Sequence, residues 1–396
     1  MLCAVSCISR VTAEEAEQEA VELTVKVSIP EEHKGLVGIE EITVSLQSSS
    51  LPVSFKAHPS EDSTVVFRAA PEKYSVLASY SNSSTRVYIN GRCNEFILTP
   101  EGLIDSEGAL SSREIKMNLS VAVPSPIVIR ELYYHGSMTA DGEKSYTKDR
   151  YVEIYNNNGA GGDVYYLDSL CLAGIFPYNS TAGNTAWRDA DTLAIGSFYW
   201  IVPGKGKDYP LQPGESAVIA LIAATDHRGL STSGLELQRA HFGCYDESLS
   251  GHEIDASVPR LQLGDGGQGT AWAVSIHSPA FVLFRPSMGL AAYRASAADW
   301  ERYEPGKTSG TKYWHIASSW IVDGVECFDS PTGALKRLPS SVDVSYACMK
   351  SAHYSGKCIT RRLDEVASAG GVDVYIDTNN SLEDFLTDQI PSPRLR

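Results

Sequence analysis

Apolar and polar residues alternate along much of this 396-residue chain, and that alternation narrows its fold more than any other feature. Leu23, Val25, Val27 and Ile29 are separated by polar residues, as are Ile42, Val44 and Leu46. Val65 and Phe67 follow, then Tyr74, Val76 and Ala78. A period of two sends successive side chains to opposite faces of a strand. Clusters of Pro, Gly, Ser and Asn between the runs supply the turns. The pattern predicts an antiparallel β-sandwich over residues 21–123, closed by strands near Val87–Ile89 and Ile115–Leu119. Residues 1–20 are acidic, lack apolar periodicity and read as a tether.

Val123-Pro124-Ser125-Pro126 marks a boundary, because two prolines in four residues favour extended backbone and interrupt pairing. Beyond it, strands are predicted at Ile127–Tyr134, Tyr151–Gly159, Val164–Gly174, Ser197–Gly206 and Leu211–Ala224. Residues 225–320 are less regular, with a Gly-rich turn at Gly264–Gly269 and one buried strand pair within WAVSIHSPAFVLF. From Val322 the β-like runs return. The expectation is an all-β chain of two β-sandwich domains, 21–123 and 126–396. The second is closed by the ending of the chain and interrupted by a long irregular insertion at about 225–320.

Composition bounds the function. Lys and Arg number 33 against 49 Asp and Glu, and the resulting net charge of −16 argues against nucleic acid or anionic lipid as the main partner. No run approaches the roughly 20 apolar residues that cross a bilayer as a helix. Twenty Tyr and six Trp against five Met suit β-sheets and recognition surfaces. None of the eight cysteines is spaced as CxxC, which disfavours a zinc ribbon or redox pair. With Cys3 and Cys7 assigned to an export segment, an even number remains, and Cys348–Cys358 is the preferred disulfide.

Chemistry-bearing constellations are sparse. Ser231, Ser233 and His227 lie close together, but no Gly-x-Ser-x-Gly elbow between strand and helix surrounds them. Glu301 and Glu304 flank Arg302 and read as a solvated face. Gly264–Gly269 has no strand leading into it and no Lys-Ser/Thr after it, so it is not a phosphate loop. No catalytic residue and no cofactor is expected, and the chain is read as a non-enzyme. For a metal, Asp226, His227 and His241 are the candidates, with His252-Glu253 nearby. For a ligand, Trp300, Tyr303, Tyr313, Trp314 and Trp320 crowd a short stretch among polar residues. Tyr133, Tyr134 and His135, before the Gly136-Ser137 loop, form a second candidate, with Tyr134 the residue chosen.

Several motifs resemble known families. Residues 21–123 resemble carboxypeptidase-regulatory-like, or transthyretin-like, domains, which act as spacers and stalks. Glu131, Tyr151-Val152-Glu153 with Asn156, Leu167–Leu172 and Leu211-Gln212-Pro213-Gly214-Glu215 resemble the lamin-tail domain, an immunoglobulin-like sandwich, although its third-strand Trp is absent. WIVPGKGKDYPLQPGES, TDHRG, KRLPSSVDVSY and DTNNSLEDF are together similar to a Bacteroidetes surface-lipoprotein family of unknown function, over roughly residues 20–396. Ala4-Val5-Ser6-Cys7 resembles a lipobox, which makes Cys7 the lipidation site. The resemblance implies a lipid-anchored protein on the outer face of the outer membrane. Its partner would be a TonB-dependent receptor or another surface protein, in nutrient, metal or haem uptake. The alternatives are an accessory of a surface hydrolase system and a structural adhesion component.

Overall fold

The computed structural model describes residues 20–51, 53–106, 108–179, 191–264, 271–272, 274–331 and 335–396. Cys7, the rest of the acidic tether up to residue 19, and nearly all of the Gly-rich turn lie outside the described residues. The chain is nearly all β and divides into two compact units. The first holds the described residues up to Tyr80 together with Gly91–Ser120, and the second holds Ser81–Asn90 and Val121–Arg396. Among the described residues, no helix is long and apolar enough to cross a membrane.

The first unit follows the alternation. Strand β1 (Val21–Ser28) buries Leu23, Val25 and Val27 and turns Lys26 and Ser28 outward. Strands β2 (Thr43–Ser48), β3 (Ser54–Ala57), β4 (Thr64–Ala69), β5 (Lys73–Asn82) and β6 (Val87–Leu98) follow, then β7 (Glu114–Asn118). One sheet runs β4–β1–β7, and the other contains β3–β2–β5–β6 in that order. β7 pairs with β1 in parallel, so this sandwich is mixed where antiparallel pairing was expected. β4 already holds the other edge of β1, antiparallel.

The second unit carries two larger sheets. Strands β8 (Ile127–Tyr133), β9 (Tyr151–Asn156), β10 (Cys171–Ile175), β11 (Thr192–Ile201) and β12 (Ser216–Ala220) come first. Then come β13 (Ala280–Phe284), β14 (Lys312–Ala317), β15 (Ile321–Phe328), β16 (Ala347–Cys348), β17 (Cys358–Arg361) and β18 (Phe385–Gln389). The first sheet runs β12–β9–β8–β17–β18 and the second runs β14–β11–β10–β13–β15–β16. Their facing sides meet in one core, with Ile129, Leu132, Val152, Ile154 and Ile219 against Leu172, Trp200, Phe281, Leu283 and Val325.

Residues 225–320 are therefore not one irregular insertion. Ala280–Phe284 is a central strand, antiparallel to β10 on one side and β15 on the other. Lys312–Ala317 is strand β14 of the same sheet, and Phe242, Leu249, Leu261 and Trp272 join the core between the sheets. Other described residues of the segment cover the outer faces of the two sheets. Leu237, Ala240 and Val258 pack against Tyr133, Tyr151 and Val218 of the first. Tyr293, Trp314 and Trp320 pack against Tyr199, Val282 and Phe284 of the second. All seven residues of β8 and all six of β9 are buried, the pattern of a sheet covered on both faces. The expected Cys348–Cys358 disulfide does not form, and both thiols are free. Cys348 ends β16, paired to β15 in one sheet, whereas Cys358 begins β17 in the other.

Double coverage forces charged side chains indoors, where each needs a partner. Glu326 of β15 is fully buried and accepts from Lys336 Nζ at 2.9 Å, Arg337 Nε at 2.8 Å, and the backbone N–H groups of Arg337 and Leu338. Burial opposes its ionisation, but the Lys336 ammonium and Arg337 guanidinium outweigh it and hold the carboxyl at about 2. That lies below its ordinary value of 4.5, so the stabilisation is complete above pH 4.5 and is lost as pH falls toward 2. Glu326→Gln should therefore flatten the stability profile between those limits in denaturant unfolding. At neutral pH it should cost about 3–5 kcal/mol by stranding two buried cations. A variant that unfolds with the wild-type midpoint at pH 7 and pH 3 would remove this role.

Candidate metal centre

Where strand ends of both sheets converge, four loops bring three imidazoles to one carboxylate. His135 lies just past β8, and Asp329 just past β15. His277 precedes β13, and His353 sits in the loop between β16 and β17. His135 Nε2 is 3.4 Å from Asp329 Oδ1, and His353 Nε2 is 3.1 Å from Asp329 Oδ2. His277 Nδ1 stands 3.6 Å from the same Oδ2. The His353 ring lies edge-on to both other imidazoles, with centroids 5.0 Å from His135 and 4.2 Å from His277.

Each group is fixed by backbone hydrogen bonds. The Asp329 N–H donates to Ser278 Oγ at 3.0 Å, and the Ser278 N–H returns to Asp329 Oδ1 at 3.3 Å. The Ser278 carbonyl accepts from buried Arg337 Nη2 at 2.6 Å, which ties the site to the Glu326 cluster. The N–H groups of Tyr354 and Gly356 donate to the carbonyls of His135 and Gly136, joining the His353 loop to the end of β8. Asp388 accepts from the Ser351 N–H at 2.8 Å and anchors the base of that loop.

The electrostatics suit a cation. Burial works against ionisation of Asp329, but hydrogen bonds from His135, His353 and the Ser278 N–H prevail and hold its carboxyl at about 2. Ligand atoms of His135, Asp329 and His353 all lie within 4.8 Å of one another. A tetrahedral ion with ligand bonds near 2.0–2.1 Å has ligand separations of roughly 3.4 Å. Each of the His135 and His353 imidazoles lies at about that distance from its own oxygen of the carboxylate, Oδ1 for His135 and Oδ2 for His353. The site opens gradually to solvent: the His135 side chain is 0% exposed, Asp329 24%, His353 31% and His277 56%. His135 Nδ1 is buried without a partner.

The metal ligands expected from sequence do not converge. Both ring nitrogens of His227 are engaged, Nδ1 with the Tyr146 hydroxyl at 2.8 Å and Nε2 with the Ala223 carbonyl at 3.1 Å. Asp226 pairs with Arg228, and His241 Nδ1 accepts from the Val218 N–H. Each of the three side chains is thus engaged with a different partner. Ser231 and Ser233 bond to each other, and Ser233 donates to Asp149, so neither hydroxyl is engaged with His227.

The expected aromatic recognition surface is largely interior. Tyr293 sits 5.4 Å from Trp314 and 5.2 Å from Trp320, both buried, with half-buried Trp300 tilted against Trp320 at 4.5 Å. These rings cover the apolar outer face of the second sheet. Tyr313 rests on Phe176 at 4.3 Å, and Tyr303 takes Lys312 over its ring. The cavity beside Tyr313 and Trp314 is about 160 Å³, below the roughly 300 Å³ at which ligand pockets begin. Tyr134 is fully buried between the sheets.

Of the four residues that do converge, sequence singled out only His135, as neighbour to Tyr134. Asp329, His353 and His277 come from separate strand ends, and no spacing signal links them.

Residues 212–392 match the model of a family described as "Protein of unknown function (DUF4876)". His277, Asp329 and His353 fall inside that span, and His135 precedes it. The chain is similar to the crystal structure of a DUF4876 family protein from Bacteroides thetaiotaomicron VPI-5482. The two share 25% identity with a TM-score of 0.59, over 94% of this chain and 96% of that one. No curated protein matches the chain.

Gly136 turns the backbone directly after His135. Its φ is +70°, and a Cβ there would sit 2.4 Å from the Tyr146 carbonyl oxygen. Gly356, with φ +67°, meets nothing closer than 4.0 Å. Gly356→Ala should cost only left-handed strain, about 1–3 kcal/mol. Gly136→Ala adds a backbone clash and should lower the urea midpoint further. Equal midpoints for the two variants would contradict this reading.

Proposed function

We propose that this chain is a non-enzymatic binding protein that captures one divalent transition-metal ion at His135, Asp329 and His353, with His277 as the fourth ligand. The observation that carries the reading is the convergence of His135, Asp329 and His353, whose ligand atoms all lie within 4.8 Å of one another, with His277 Nδ1 3.6 Å from Asp329 Oδ2. Imidazole with one carboxylate suits zinc, iron, copper or nickel better than magnesium or calcium, which prefer all-oxygen shells.

The arrangement favours exchange over permanent retention. A ligating histidine ordinarily donates its second ring N–H to a carboxylate or carbonyl, which fixes the ring and strengthens the bond. His135 Nδ1 has no such partner, and His277 and His353 face solvent. An ion bound here is released more readily than from a closed structural site. That behaviour fits cargo.

In this reading the ion is delivered to an outer-membrane TonB-dependent receptor, and the protein is held at the cell surface by lipid on Cys7. The support for that part is the similarity of Ala4-Val5-Ser6-Cys7 to a lipobox and of the chain to surface lipoproteins. Recovery of a barrel receptor with the protein from native outer membranes supports it, and recovery of none argues against it.

The metal centre has its own test. After equilibration with Zn²⁺ and removal of excess ion, elemental analysis should find about one zinc per wild-type chain. Saturating zinc at about 100 times Kd should stabilise the second unit by about 2.7 kcal/mol. Asp329→Asn and His353→Ala should weaken binding by at least about 100-fold, the upper end of what losing an outer-shell partner costs. Wild-type protein that retains no metal and gains no stability would eliminate the proposal.

A further inference from the structure

The first unit carries a cavity of the opposite chemistry. β1 and β7 are neighbours in parallel register, with Lys26 beside Lys116 and Ser28 beside Asn118, all four on the outward face. Ser28 Oγ donates to Asn118 Oδ1 at 2.7 Å. The segment between β1 and β2 folds over this face through two short 3₁₀ turns, Glu31–His33 and Ile39–Glu41, and bends at Gly35, whose φ is +90°. It brings Lys34, Val37 and Ile39 to the rim. The half-open cavity so formed holds about 600 Å³, within the roughly 300–1,000 Å³ range of small-molecule sites.

Three lysines, Lys26, Lys34 and Lys116, therefore line one cavity in a chain whose net charge is −16. Lys26 and Lys116 are partners in register on the exposed face, where like charges repel each other. Their protein counter-charges are exposed. Lys116 is 3.5 Å from Glu114, Lys34 contacts Glu31, and Lys26 has no ion-pair partner among the described residues. Exposed pairs of this kind hold little energy, so the lysines are available to a ligand. Val37 and Ile39 give the same cavity an apolar wall.

We infer that this cavity binds a small amphiphilic organic anion, its acidic head between Lys26, Lys34 and Lys116 and its apolar body against Val37 and Ile39. The inference is independent of the metal centre. The head group, carboxylate or sulfonate, is neutralised by the lysines. The body distinguishes such a ligand from a bare inorganic anion.

The test is fluorescence titration of the full chain with 8-anilinonaphthalene-1-sulfonate, an apolar sulfonate, followed by displacement with dodecanoate and with inorganic phosphate. One saturable site is expected, displaced by dodecanoate and not by phosphate at equal concentration. Lys26→Ala/Lys116→Ala should weaken the probe by about tenfold or more, the scale of one charge-assisted hydrogen bond. Lys26→Arg/Lys116→Arg should retain binding. Both lysines are exposed, so circular dichroism should show both double variants folded. Wild-type probe affinity in the alanine variant, loss of binding in the arginine variant, or displacement by phosphate as effective as by dodecanoate would each overturn the inference.

Discussion

Glu326 is buried in the sheet nearest the metal centre, and its carboxylate organises what surrounds it. Lys336, Arg337 and two backbone N–H groups close on its oxygens, and Arg337 reaches on to the carbonyls of Pro177 and Ser278. Ser278 in turn exchanges two hydrogen bonds with Asp329. The position of the candidate metal ligand thus depends on a buried ion cluster one loop away. Such clusters rarely add net stability over an apolar core of equal volume. Here the cluster dictates where irregular backbone lies, because each donor has one place to go.

A second cluster does the same between the sheets. Arg361 of β17 is buried and bonds to Asp323 of β15 at 2.8 Å, Asp377 at 3.0 Å and Asp384 at 3.3 Å, as well as to the Ile129 carbonyl of β8. Asp323 also accepts from the Ile129 N–H, and Asp377 from the Ser125 N–H. One guanidinium therefore links the entry of β8, the second sheet and the C-terminal segment. The DTNNSLEDF ending is this clamp: Asp384 accepts from Thr378 and Asn380 while facing Arg361. Its two aspartates, Asp377 and Asp384, supply the interior acceptors.

The strands were legible because period-two alternation is local, and the runs at Leu23–Ile29, Ile42–Leu46 and Tyr74–Ala78 fall on β1, β2 and β5. What alternation cannot convey is which sheet a uniformly apolar run joins. WAVSIHSPAFVLF reads as a buried strand pair, yet among its described residues only AFVLF forms a strand, and its place between β10 and β15 is set by partners far away in sequence. The Trp and Tyr residues of 300–320 misled for a related reason. An aromatic stripe beside charges has the same composition whether it faces water or a second apolar layer, and here Tyr293 and the sheet stand behind it. The metal candidates near His227 failed because proximity in sequence was the only available guide. His227, Asp226 and His241 are each engaged by separate partners, Tyr146 and Ala223, Arg228, and the Val218 N–H, whereas His135, His277, Asp329 and His353 meet only after both sheets have formed.

The two proposed sites divide the chain's electrostatics in a way the net charge conceals. At −16 the chain as a whole attracts cations and raises their local concentration at its surface, which favours encounter with a metal ion. An organic anion gains nothing from that field and must be held by local charge, which the lysines of β1, β7 and the intervening segment supply at short range. Salt then acts oppositely on the two. Screening weakens the long-range attraction of cations and also relieves the long-range repulsion of anions. The coordination bonds to His135, Asp329 and His353 are made inside that screening length and respond least. A metal ion and an organic acid could thus be carried by one chain without competing for the same surface, each held by the chemistry its own unit provides.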